Sequence, residues 1–122
     1  MFKKYAFGSL AAALLLTGQA HAASYGENLE GFDYPWPLQH FDFTSQKQSL
    51  RMGYMDVKPQ NANGKTVVLM HGKNFCAATW EGTIRALTEK GYRVVAPDQI
   101  GFCTSTKPQQ YQYTFQQLAD NT

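Results

Sequence analysis

The chain has 122 residues, 14% of them aromatic, and a formal charge of +2. Lys3 and Lys4 account for that excess, and the remaining nine Lys and Arg balance nine Asp and Glu. Beyond residue 22 this leaves a neutral stretch of about 100 residues: one small domain at most, aromatic enough to build a core, with no electrostatic footprint for DNA, RNA or anionic lipid.

Met1–Ala22 reads as an export signal. Lys3 and Lys4 form a basic start, Leu10–Leu16 a short apolar core, and Ala20-His21-Ala22 an A-x-A cleavage site. The apolar run is too short to span a bilayer, and no Cys follows it to carry a lipid. The expectation is an exported protein, periplasmic or extracellular, with no stable membrane anchor after cleavage. An uncleaved anchor or a buried N-terminal helix is the alternative. Residues 23–39 form an extended lead-in rich in Gly, Pro and aromatics; Pro35 and Pro37 forbid a regular helix or central strand. Tyr34 and Trp36 are expected to pack on the domain.

His40–Val57 reads as two strands joined by a polar turn at Ser45–Ser49, with Phe41 and Phe43, then Leu50, Met52 and Tyr54, in alternation. A loop at Pro59–Lys65 carries an Asn-Gly turn signal. The apolar run Thr66–Met70 reads as a buried strand ending in His71-Gly72. A helix is expected from Ala77 or Ala78, with Trp80, Ile84 and Leu87 on one face and Gly91 as the residue that ends it. Arg93–Ala96 is the next strand and ends in Pro97-Asp98. Strand, helix and strand then make a parallel crossover whose polar turns lie at the carboxyl ends of the strands, where open α/β sheets place their chemistry. A last helix starts at Thr114, where Thr114-x-x-Gln117 reads as a capping box, and Phe115, Leu118 and Ala119 begin an apolar stripe.

HGKNF after one strand and PDQIGFCTS after the next resemble the turns of the α/β-hydrolase superfamily, over residues from about His40 to Thr122. In that family one strand ends in HG-x and the next in PD-x-x-G-x-G-x-S. Cys103 stands where the family usually has its second Gly, and Ser105 keeps the terminal Ser. The resemblance implies an α/β fold: an antiparallel opening hairpin, a βαβ crossover and the start of a further helix, in sheet order 1-2-4-3-5. No G-x-S-x-G elbow and no late His occurs in the 122 residues, so residues 40–122 are expected to form an incomplete, N-terminal part of the domain, inactive alone.

The resemblance also assigns roles. The backbone N–H of Lys73, with Asn74 second, belongs to an oxyanion hole; His71 and Gly72 shape that turn, and Asp98 shapes the turn through Gly101. The intact protein would hydrolyse a small ester, amide, epoxide or carbon–halogen bond, with Ser, Asp or Cys as nucleophile, and would need no cofactor. Because the two strands are sheet neighbours in the family, Cys76 and Cys103 are brought together and are candidates for a disulfide; two free thiols are the alternative. A triad of His71, Asp98 and Ser105 is disfavoured because Ser105 lies in a loop and not on an elbow. His40, His71, Cys76 and Cys103 lack metal-ligand spacing, and no phosphate-binding glycine motif occurs. The competing reading is a small secreted module that binds a partner without catalysis, through its aromatic lead-in and HGKNF turn.

Overall fold

The computed structural model describes residues 24–122, so the signal segment lies outside the described residues. Strand β1 (Leu38–Ser45) and strand β2 (Gln48–Val57) are followed by β3 (Thr66–Val68), helix α1 (Glu81–Glu89), β4 (Arg93–Pro97) and helix α2 (Phe115–Asp120). The sheet order is β1-β2-β4-β3, with β3 and β4 parallel and the other pairs antiparallel. This is the order implied by the resemblance, with the antiparallel hairpin and the parallel crossover as expected.

The opening hairpin is tighter than expected. Ser45 pairs with Gln48, so only Gln46 and Lys47 form the turn, with φ of 48° and 60°. Two left-handed residues match the twist of paired strands, but they are usually Asn or Gly. Here the Gln46 side chain offsets the strain: its Nε2 donates to Gln112 O and its Oε1 accepts from Gln112 N.

Strand β2 is buried on both faces, so it divides the core into two clusters. Met55 and Val57 face α1 with Ala77, Ile84, Val94 and Ala96. Leu50 and Met52 face the opposite way, toward Ile100 and Tyr111. Helix α1 buries the expected face: Ile84 is fully buried, and Trp80 and Leu87 pack beside it. Its first turn is a 3-10 turn over Ala77–Trp80, which the sequence reading had as the start of an α-helix. At the other end, Gly91 N–H bonds Thr88 O and Tyr92 N–H bonds Leu87 O, with Gly91 at φ 87°. That is a Schellman closure. A Cβ on Gly91 would come within 2.7 Å of Asn61 O, so glycine also lets the 59–65 loop close over the helix end.

Two expectations need correction. Strand β3 is three residues long and stops at Val68, although Leu69 N–H still reaches Val95 O. Val68 and Met70 are exposed and not buried, because only the other face of this segment, at Leu69, packs on a core cluster. The capping box is half made: Thr114 Oγ1 accepts from Gln117 N–H, but the Gln117 side chain turns to Asn121 and Gln46.

Candidate functional site

The turns after β3 and β4 meet at one end of the sheet. After β3, Phe75 N–H donates to Gly72 O, which closes a four-residue turn with Lys73 and Asn74 at its centre. Asn74 has φ of 69°, the pattern of a type II turn. The left-handed position thus falls on Asn74 and not on Gly72. Asn is the residue besides Gly that tolerates it best.

His71 fixes this turn. Its Nδ1 lies 2.9 Å from Gly72 O, and its Nε2 lies 2.9 Å from the backbone N of Gln99. A carbonyl can only accept and a backbone N–H can only donate, so Nδ1 carries the proton and Nε2 accepts. The imidazole is therefore neutral and bridges the two turns, with its ring edge-on to Phe102. Gly72 O is held by His71 and by Phe75 N–H. Across the planar trans peptide, Lys73 N–H must point the opposite way, out of the turn. Neither Lys73 N–H nor Asn74 N–H has an acceptor among the described residues. Beside them lies a cavity of about 510 Å³ walled by Met70, Phe102, Phe115 and Leu118.

Asp98 holds the second turn and ties it to the first. Its Oδ1 accepts from Ala77 N–H at 2.7 Å, and its Oδ2 accepts from Thr104 N–H, Thr104 Oγ1 and Tyr34 Oη. The fully buried carboxylate is thus matched by four donors from three segments, as a buried charge requires. Its partner in the turn is Thr104; Gly101, at φ 95°, instead donates to Thr106 O. A Cβ on Gly101 would meet the Tyr113 ring at 2.8 Å, so glycine is needed there for contact as well as for φ.

Tyr34 is the residue the sequence undervalued. Its ring packs on the core as expected, but its hydroxyl also donates to Asp98 at 2.5 Å. Burial, and then the carboxylate beside it, push the phenol well above its ordinary range. The lead-in is thereby fastened to the turn. Lys107 fastens it again, donating to Asn28 Oδ1, Cys103 O and Ser105 O, with its pKa lowered by burial. Neither contact leaves a periodic signal, since the partners lie 64 and 79 residues away.

Cys76 and Cys103 form a disulfide with Cα atoms 5.8 Å apart. It joins the residue before the 3-10 turn to the loop after β4. Cys103 has φ of 47°, so it holds a left-handed conformation, which glycine adopts more readily, while making the link. Ser105 is fully buried; its Oγ donates to Asp98 O and accepts from Gly53 N–H. With both His71 nitrogens committed as well, His71, Asp98 and Ser105 do not form a proton relay.

Residues 65–121 match the family described as alpha/beta hydrolase fold. The chain belongs to the α/β-hydrolase superfamily. A haloalkane dehalogenase of Mycolicibacterium paratuberculosis is 40% identical over 96 residues, which are 77% of this chain and 31% of that protein. A cis-3-alkyl-4-alkyloxetan-2-one decarboxylase of Xanthomonas campestris is 30% identical over 92 residues, or 66% of this chain and 30% of that one. Among solved structures, a "probable hydrolytic enzyme" from Pseudomonas aeruginosa PAO1 superposes with a TM-score of 0.78 at 65% identity, over 80% of this chain and 31% of its own. This α/β-hydrolase chain thus spans about a third of the length of the relatives it matches. None of its described helices is long and apolar enough to cross a membrane.

Proposed function

We propose that these residues supply the oxyanion side of an exported α/β-fold hydrolase, and form the N-terminal part of its domain. The intact protein acts on a small ester, amide, epoxide or carbon–halogen bond by nucleophilic catalysis. One observation carries the reading: the Gly72–Lys73 peptide is held by its carbonyl so that the N–H of Lys73 stays free beside a largely apolar cavity, with the N–H of Asn74, also free, next in the turn. Fixed donors of this kind stabilise the oxyanion that develops when a nucleophile adds to a carbonyl, or when an ester intermediate is hydrolysed, because they need no reorganisation as the charge appears. Ser105 does not serve as the nucleophile to go with them, since its hydroxyl is committed to Gly53 and Asp98.

The test is a chimera. Residues 24–122 are joined to the carboxyl-terminal part of the Pseudomonas protein that is 65% identical to them. Turnover of p-nitrophenyl acetate, styrene oxide or 1-bromobutane by the folded chimera, and none by residues 24–122 alone, is the expected result. A folded chimera inert toward all three, under conditions where the intact Pseudomonas protein turns one of them over, would overturn the reading.

A further inference from the structure

We propose that the Lys73 ammonium selects ligands that carry a carboxylate on an apolar body, and so sets the substrate class of the pocket beside the oxyanion turn. The inference rests on the hydrolase reading for calling the ligand a substrate; the binding preference itself does not depend on which bond is broken.

The cavity of about 510 Å³ is walled mainly by apolar side chains, with His71 and Gln99 at its polar points, and among the described residues Lys73 is the one carrying a formal charge in its lining. No carboxylate among the described residues lines it. The other cations that the fold fixes are committed elsewhere: Arg51 to Asp42, Arg85 to Glu81 and Arg93 to Asp56. Lys107 bonds one side-chain and two backbone oxygens. Asp98, the buried acid nearest the turn, is saturated by its own four donors. Lys73 makes no ion pair or hydrogen bond through its side chain among the described residues.

The physical consequence is a filter with two arms. A neutral apolar ligand laid against Met70, Phe102 and Leu118 strips water from the neighbouring ammonium and returns nothing. A ligand of the same shape ending in a carboxylate returns a charge-assisted hydrogen bond. Discrimination then arises from the cost to the wrong ligand as much as from the gain to the right one. The ammonium stays partly in water, so the preference is modest and weakens with salt. This role belongs to the side chain of Lys73 and is separable from its backbone N–H, which every substitution except proline retains.

The chain, isotope-labelled, is titrated with 4-phenylbutyrate and with 4-phenylbutanol at low salt, following the Met70 and Leu118 methyl groups by NMR. The expected result is about fivefold tighter binding of the butyrate, or about 1 kcal/mol. Lys73→Met removes the difference and Lys73→Arg keeps it; Lys73→Gln serves as a second neutral variant should Lys73→Met lose its dispersed spectrum. Equal affinity in the parent chain overturns the inference. So does a preference that survives in the neutral variants, which would place the carboxylate on the backbone donors, and so does the absence of shifts with either ligand. An inactive chimera would overturn the hydrolase reading while leaving this preference intact.

Discussion

Removing the Cys76–Cys103 link should destabilise the chain by an amount that the structure lets one work out. The disulfide closes a loop of 27 residues. Chain-entropy arithmetic for that length gives about 12 cal/mol/K, or about 3.6 kcal/mol at 25 °C. Against this stands a backbone cost that the native state already carries. Cys103 sits at φ 47°, where an L-residue is disfavoured by roughly 1 kcal/mol and glycine is not. Cys76→Ala with Cys103→Ala should therefore lose about 3–4 kcal/mol, and Cys76→Ala with Cys103→Gly about 1 kcal/mol less than that. Urea unfolding without reductant measures both, with Trp36 and Trp80 as reporters because they pack on the cluster that the link borders. With a slope of about 1.5 kcal/mol/M, the alanine pair should lower the midpoint by about 2 M. A shift under about 0.5 M, or a glycine variant no more stable than the alanine one, would refute the reasoning.

Tyr34→Phe keeps the ring and deletes the donor to the Asp98 carboxylate, and should lose about 2 kcal/mol in the same titration. Faster hydrogen exchange at the Ala77 and Thr104 amides would show that the loss acts through Asp98. Asp56, held below the usual carboxylate range by its two bonds from Arg93, stabilises the fold above about pH 4 and loses that contribution as pH falls through its depressed pKa. The stability gap between the parent and Asp56→Asn should thus be present at pH 7 and close on acidification; a gap constant from pH 7 to pH 3 would contradict it. Val68→Lys places a charge on the exposed edge strand β3 and should reduce self-association in light scattering without lowering the melting temperature.

Much of the fold was legible because it is written in periods. Trp80, Ile84 and Leu87 repeat at helical spacing, and Val67–Met70 and Val94–Ala96 are short apolar runs closed by His71-Gly72 and Pro97-Asp98. Those turns also gave the place of the candidate site, since two parallel neighbours put their carboxyl ends side by side. What could not be read is what depends on contacts between distant segments. The Tyr34 hydroxyl on Asp98, the three bonds of Lys107 and the clamp of Gln46 on Gln112 have no local pattern. The hairpin turn was placed correctly but read too wide for a related reason: Gln46 and Lys47 are poor turn residues by propensity, and their left-handed geometry is held by that distant clamp. The burial of β3 was overestimated because an apolar strand reads the same whether one or both of its faces are covered.

The central claim is that the Lys73 backbone N–H, and not the Lys73 side chain, stabilises the reacting oxyanion. Proline suits the second position of a type II turn and lacks the N–H, so Lys73→Pro deletes the donor while keeping the turn. The decisive measurement is the kcat of this variant in the active chimera, beside Lys73→Met. The account predicts a loss of about 10²–10³-fold for proline, with the melting temperature kept, and no comparable loss in kcat for methionine on a neutral substrate. A folded Lys73→Pro chimera that retains its kcat would contradict the account.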